Sequence, residues 1–361
     1  MRALGVFPRE RAVRLVERDP PRLGSPTDVR LRVLDVGVCG TDREICRFEF
    51  GTPPPGADHL VLGHECLAEV LEAGPAVGAV AVGDLVVPAV RRPCPHDRCD
   101  PCRTGRQDFC HTGDFVEHGI KGRHGFLTDQ VVEDARYLHG VPRALRDVAV
   151  LVEPLTVAEK ALEQVRRFQD RLGSERAGRT AVVTGAGAIG ILGALALTVA
   201  GFETVVWSLE DESDPKAALL ADAGVRYVGA AQASLPQLGV RLGNVDVLFE
   251  ASGAPAVTFA ALDTLGHNGV LVLFGLPGGR SALEVDAAAV VRNLVLRNQL
   301  VVGTINAGAD DFAAAIRDLA VFEHRWPGLL RRLITGRVPL EACTDLFQGP
   351  LRGIKNVVSV G

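Results

Sequence analysis

The sequence is poor in aromatic residues: Phe, Trp and Tyr together make up 5% of its 361 residues. Its cores must therefore be built mainly from Val, Leu and Ala, and its 40 Gly and 21 Pro supply many tight turns. Basic charge is not in excess. The net charge is −5 and no Lys/Arg stripe runs along the chain, which argues against a nucleic-acid partner. Long apolar runs are missing too. The N-terminal segment MRALGVFPRERAVRLVERDP is charged throughout and lacks a signal-type apolar region. The longest apolar stretch, around 189–200, falls short of the roughly 20 residues that cross a bilayer. No membrane partner is expected, and the protein reads as cytoplasmic. There is no internal repeat and no low-complexity tract. At roughly 100–200 residues per domain, the length predicts two or three domains.

Eight cysteines would permit a disulfide framework, but the chain is long and four of the eight crowd one short segment. In a cytosolic protein such a cluster points to metal. The segment reads Cys94-x4-Cys99-x2-Cys102-x7-Cys110. Four thiolates on one compact lobe suit a closed, tetrahedral, structural zinc. His96, inside the first gap, is an alternative ligand of lesser weight.

The first 150 or so residues read as β-rich. Residues 28–36 alternate polar and apolar, as a half-buried strand does. Residues 61–64, 84–88 and 128–132 are further short strand candidates between Gly and Pro. A helix is expected over 156–165, then a polar loop over 171–179. Beyond it, strand candidates at 180–184, 204–208, 225–228, 245–250, 270–274 and 300–305 alternate with helical runs at 188–200, 215–223 and 256–265. Such alternation predicts an α/β unit with a parallel sheet covered on both faces.

At 181–190 a strand runs into Gly185-x-Gly187-x-x-Gly190 and then a helix, with Ala188 and Ile189 at the helix start. Gly185 permits the tight turn, Gly187 lets backbone approach a pyrophosphate, and Gly190 lets helix and strand pack closely. The helix N-terminus offers free N–H groups to the phosphates. The next strand ends in acid. Glu210 lies 20 residues past Gly190, where a carboxylate accepts ribose hydroxyls and repels a 2′-phosphate. No Arg or Lys follows until Lys216, which predicts NAD over NADP. Asp211 is an alternative acid, and a solvated acidic loop is the plainer reading.

A second set of metal-ligand types is scattered: Cys39 before Gly-Thr41-Asp, His64-Glu65 after Gly63, and Glu153 before Pro154. Singly each is weak, since a lone Cys is usually a small buried hydrophobe. With the nucleotide motif they suggest an open, catalytic zinc.

In this order the residues resemble the zinc-dependent medium-chain dehydrogenases, over nearly the whole chain. The likeness to the microbial glucose dehydrogenases of that group rests on Cys39-Gly-Thr-Asp-Arg-Glu, Asp58-His-Leu-Val-Leu-Gly-His-Glu, Val86-Val-Pro-Ala-Val-Arg-Arg, Gly105-Arg-Gln-Asp-Phe-Cys, Glu117-His-Gly-Ile-Lys-Gly-Arg-His-Gly-Phe and Glu153-Pro-Leu-Thr-Val-Ala-Glu-Lys. The resemblance implies a GroES-like catalytic domain (1–158), a doubly wound Rossmann domain (159–306) and a C-terminal segment (307–361) that returns to the catalytic domain. It implies catalytic zinc on Cys39, His64 and Glu153, with Glu65 joining in some states and Thr41 relaying the proton. The activity implied is oxidation of an aldose at C1 to the lactone with hydride transfer to NAD; a polyol, secondary-alcohol or amino-alcohol dehydrogenase shares the same zinc chemistry. Sugar contacts are implied for Glu117, Asn306 and, more weakly, Glu159, although Glu117 also reads as an ordinary loop acid. A homodimer or homotetramer paired through the Rossmann sheet edge, near 300–305, is implied as well. Three departures stand out: the x4 gap in the cysteine lobe, Ser-Leu-Glu-Asp at the end of the second strand where relatives carry Arg-Arg, and Val90 where some relatives place a polar sugar contact. Cys46, Cys66 and Cys343 fit no ligand role and read as free thiols.

Overall fold

The computed structural model describes residues 1–173, 178–278, 282–350 and 353–361. The expected loop over 171–179 lies partly outside the described residues. Two compact units emerge: one of residues 1–156, 306–321 and 330–361, the other of 157–305 and 322–329. The stretch 322–329, expected with the tail, groups with the second unit. It carries the buried Phe322, whose ring packs 5.8 Å from Trp326, and the buried Leu329.

The first unit is built on a seven-stranded sheet. Strand Asp28–Gly37 pairs antiparallel with Glu65–Ala73 on one side and with Lys355–Ser359 on the other. Its alternating pattern is what buries Val29, Leu31 and Val33 in the core. The expected strand at 61–64 is only half right. Leu60–Val61 is a strand, but Gly63 adopts φ +90 and ends it. A Cβ at Gly63 would sit 2.8 Å from Val36 and 3.0 Å from Leu127, so only glycine fits the turn. Pairing resumes at Glu65, in register opposite Gly37.

The second unit holds six parallel strands in the order Arg226–Gly229, Glu203–Ser208, Thr180–Thr184, Val247–Glu250, Val270–Leu273, Leu300–Gly303. Numbered along the chain this is 3-2-1-4-5-6, the doubly wound order, with its switch point between Thr180–Thr184 and Val247–Glu250. The inner strands Thr180–Thr184, Val247–Glu250 and Val270–Leu273 are buried on both faces, which explains their continuous apolar runs, while the edge strand Leu300–Gly303 is half-exposed. Helix Ala188–Val199 buries eight residues beneath the sheet's glycine turn. The helix expected at 156–165 begins earlier and runs Val152–Gln169. Pro154 sits in its first turn, where no N–H is needed, so it does not delay the start. No helix among the described residues is long and apolar enough to cross a membrane.

Candidate active site and metal centres

In the first unit, Cys39, His64 and Glu65 converge, with one ligand atom from each lying within 4.8 Å of the others. The strand ending at Gly37 delivers Cys39, and the Gly63 turn delivers His64 and Glu65. Thr41 is partly buried in the short helix Gly40–Cys46. That helix also carries Asp42, fully buried, whose carboxylate accepts the Cys39 N–H at 2.9 Å and the Gly63 N–H at 3.3 Å. Asp42 Oδ1 is 3.4 Å from His64 Nδ1. Burial pushes the His64 imidazolium toward the neutral form, but Asp42 and Cys39 beside it leave its pKa well above the ordinary value.

Glu65 is held by a buried cation. Lys355, on the last strand, pairs with Glu65 Oε2 and donates to the Val38 carbonyl at 3.2 Å. Burial opposes the Lys355 charge, yet Glu65, Cys39 and Glu153 raise its pKa. Gly37 makes room for this carboxylate, since a Cβ there would lie 2.0 Å from Glu65 Oε2. Glu153 stands outside the three-residue cluster. Burial drives its pKa up to about 7; the charge of His64 lowers it, and that of Glu65 raises it.

The second centre is the cysteine lobe. Cys94, Cys99, Cys102 and Cys110 bring their sulfurs within 4.8 Å of one another. Cys99 and Cys110 Sγ are 3.9 Å apart, and the Cys94 N–H donates to Cys102 Sγ at 3.4 Å. Burial drives the Cys102 thiol up to about 12. The Cys110 thiol is brought down to about 6 against its burial, by hydrogen bonds from Thr112 and from the backbone of Gly113. His96 is not in the cluster; its Nε2 faces Asp114 Oδ2 at 2.5 Å. Cys46, Cys66 and Cys343 are buried free thiols.

Glu117 is buried and pinned. Its Oε1 accepts from Arg91 Nε at 3.0 Å, from Arg91 Nη2 at 2.9 Å and from Asn306 Nδ2 at 2.8 Å. Arg91 lies over the Phe115 ring at 3.6 Å and donates to the Asp108 carbonyl at 3.3 Å. Asn306 adopts φ +62, the left-handed region that asparagine tolerates. Glu159 is buried in helix Val152–Gln169 and groups with the other unit.

In the second unit, Gly185 has φ +88, and a Cβ on Gly190 would lie 2.0 Å from the Gly185 carbonyl. Nothing stands within 4 Å of where a Gly187 Cβ would be. The turn is thus closed at its base and open above Gly187, as a phosphate-accepting turn must be. Beside it, at the switch point, buried Glu250 accepts the Ser252 N–H at 2.9 Å and the Thr184 hydroxyl at 3.3 Å, fixing the neighbouring loop. At the end of the adjoining strand, the Ser208 hydroxyl bonds Glu210 Oε2 and accepts the Ala186 N–H at 3.3 Å. Lys216 Nζ bonds Glu210 Oε1 at 2.5 Å. Glu210 is held down to about 2: burial would raise it, but Lys216 and Ser208 outweigh that. Asp211 is exposed and accepts the Ser213 N–H of its own loop.

Comparison with known proteins fits this geometry. The profile "Alcohol dehydrogenase GroES-like domain" matches residues 25–143, and "Glucose dehydrogenase C-terminus" matches 146–360. Glucose 1-dehydrogenase of Thermoproteus tenax is 40% identical over 362 residues, covering 100% of this chain and 99% of that protein. Glucose 1-dehydrogenase of Methanocella arvoryzae is 38% identical over 362 residues, covering 100% of both. The chain belongs to the glucose dehydrogenase family. A solved glucose dehydrogenase, that of Haloferax mediterranei in complex with NADP, Zn and gluconolactone, superposes with a TM-score of 0.90 at 30% identity, covering 100% of this chain and 99% of that one.

Within this glucose dehydrogenase fold, several residues escaped the sequence reading: Asp42, Lys355, Arg91, Ser208 and Glu250. Of these, only Asp42 carried a local signal, three residues past Cys39. The others act on residues far away in the chain or are of a type that draws no attention singly. Lys216 was noticed only as a distant base, and the structure bonds it directly to Glu210.

Proposed function

We propose that this chain oxidises an aldose, with glucose or galactose as the type, at C1 to the lactone, passing hydride to a nicotinamide dinucleotide with NAD preferred. The observation that carries the reading is Glu117. Arg91 and Asn306 both bond its Oε1 and hold the carboxylate in place, and in this reading Oε2 accepts a sugar hydroxyl. A site with a buried polar group waiting for a hydroxyl rejects substrates that lack it. Asn306 and Glu159 are the further sugar contacts in this reading.

The donor sets fit zinc. A thiolate, an imidazole and carboxylates make an open site, and four thiolates on one lobe make a closed one. Cys39, His64, Glu65 and Glu153 would hold the catalytic ion, and Cys94, Cys99, Cys102 and Cys110 the structural ion. The catalytic ion supplies Lewis acidity that lowers the pKa of a bound hydroxyl. The chain's own residues do the rest. Asp42 fixes the orientation and tautomer of His64. Lys355 balances and holds Glu65. Thr41 takes up the sugar hydroxyl's proton and relays it outward. Gly185 and Gly187 admit the pyrophosphate to the backbone N–H groups at Ala188, Ile189 and Gly190. Glu210, with Asp211 beside it, accepts the ribose hydroxyls and favours NAD.

A homo-oligomer belongs to the same reading. Helix Ala287–Leu296 buries none of its residues and exposes Val291, Val295 and Leu296, and strand Leu300–Gly303 stands at the sheet edge. An apolar helix beside an open edge strand suits pairing with a second copy.

The test is absorbance of the reduced nicotinamide with a panel of aldoses, polyols and simple alcohols, run with NAD and NADP in parallel. Turnover on glucose or galactose, faster with NAD, is the expected result. Turnover confined to polyols or simple alcohols would discard the roles given to Glu117 and Asn306.

A further inference from the structure

The strand-end acid does not stand alone. Glu210 Oε1 is bonded to Lys216 Nζ at 2.5 Å, and Oε2 takes the Ser208 hydroxyl. The Ser208 oxygen also receives the Ala186 N–H at 3.3 Å, so glycine turn, hydroxyl, acid and base form one continuous chain. The backbone at Glu210 is clamped as well: its carbonyl accepts the Tyr227 hydroxyl at 2.9 Å. The acid's side chain is 38% exposed and that of Lys216 17%. The pair therefore offers a partly open carboxylate with a mostly sheltered ammonium against it.

Resting on the reading that Glu210 receives the adenosine ribose, we propose that Lys216 is a specificity-determining residue. It lets the same pocket accept a 2′-phosphorylated dinucleotide, so that the preference for NAD is narrow and not exclusive. A lone carboxylate at this place accepts a 2′-hydroxyl and repels a 2′-phosphate. Lys216 cancels that repulsion at contact distance. Its ammonium has three donors, of which Glu210 uses one. On a flexible four-carbon stem the charge can turn from the carboxylate to an incoming phosphate. Glu210 retains lone pairs on both oxygens for ribose hydroxyls, because a carboxylate offers about four acceptor sites. Lys216 therefore does not compete with NAD. The neighbouring acids do not undo the effect: Asp211 is turned to the Ser213 N–H and Asp214 to the Lys216 backbone N–H.

The experiment is calorimetric titration of the full-length enzyme with ADP and with 2′,5′-ADP, which carry the adenosine half without the reacting ring. In Lys216→Met the affinity for 2′,5′-ADP should fall about tenfold relative to ADP, the scale of one charge-assisted contact. Lys216→Arg should restore most of it, which a purely structural loss would not allow. In Glu210→Gln the affinity for 2′,5′-ADP should rise relative to ADP. An unchanged ratio in Lys216→Met, or an equal loss for both nucleotides, overturns the proposal even if Glu210→Gln shifts the ratio. No shift in Glu210→Gln would instead remove Glu210 from the ribose, and the proposal with it. Should Lys216→Met fail to fold, Lys216→Gln is read in the same way.

Discussion

Replacing Arg91 with methionine isolates what holds Glu117 in place. The Arg91 side chain is 6% exposed and that of Glu117 10%, so both charges sit almost wholly out of water. Arg91→Met keeps the aliphatic stem but removes two hydrogen bonds to Glu117, one to the Asp108 carbonyl and the stacking on Phe115. Breaking a buried pair from one side costs about 3–5 kcal/mol, because the other charge is left without its partner. Asn306 still donates to Glu117 Oε1, which puts the expected loss at the lower end, about 3 kcal/mol. Urea unfolding of the zinc-loaded protein would show it as a lower midpoint at unchanged slope. The double variant Arg91→Met/Glu117→Gln should recover about half of the loss, since the orphaned charge is gone. The sugar KM should rise in the single variant as Glu117 loses its fixed orientation. A loss below about 1 kcal/mol, or a double variant no more stable than the single, would refute the claim that Arg91 positions a buried carboxylate.

Three other outcomes are expected. His64→Ala should abolish turnover and lower the zinc content by one ion per chain while NAD binding persists by calorimetry; full activity would remove His64 from the catalytic centre. Gly190→Ala should weaken NAD binding at least tenfold by calorimetry, because its Cβ would lie 2.0 Å from the Gly185 carbonyl and must displace the turn; unchanged affinity would show that the turn does not hold the cofactor. Burial holds His124 and His139 down to about 4 against an ordinary 6.5, so the unfolded chain binds more protons than the native one below 6.5. Stability is then fully present above pH 6.5 and declines as pH falls toward 4. His139→Phe, which keeps the ring stack on Phe312 at 4.4 Å, should lessen that decline, and an identical urea-midpoint profile would exclude His139 as a contributor.

What could be read from the sequence was what is local. The glycine turn lies between its own strand and helix, and the cysteine lobe spans 17 residues, Cys94 to Cys110, so spacing alone exposed both. The inner parallel strands were legible because burial on both faces leaves continuous apolar runs, and the half-exposed edge strand Leu300–Gly303 because it is still apolar in composition. The strand expected over 61–64 failed at one dihedral angle, since φ at Gly63 is invisible in a hydrophobic pattern. Nonlocal partners were hidden for a different reason. Asn306 meets Glu117 across 189 positions and Lys355 meets Val38 across 317, and neither spacing has a periodicity to detect. Glu117 and Asn306 were singled out by family resemblance, while Arg91 and Lys355 had only their charge to recommend them.

The pairing of Asp28–Gly37 with Lys355–Ser359 bears on how this enzyme could be cut and recombined. The first unit is written in the gene as three blocks, 1–156, 306–321 and 330–361, and most of the second unit is an insertion between the first two. Expressing residues 1–156 alone would strip the central sheet of two strands, Ile334–Pro339 and Lys355–Ser359, and leave Glu65 without its cation, so that fragment should not behave as an independent module. The second unit, by contrast, can be exchanged as a cassette only together with its short return at 322–329, which makes four seams. A chimera that alters cofactor choice must respect the seams near 156, 305, 321 and 329 and return the chain to the strand that carries Lys355.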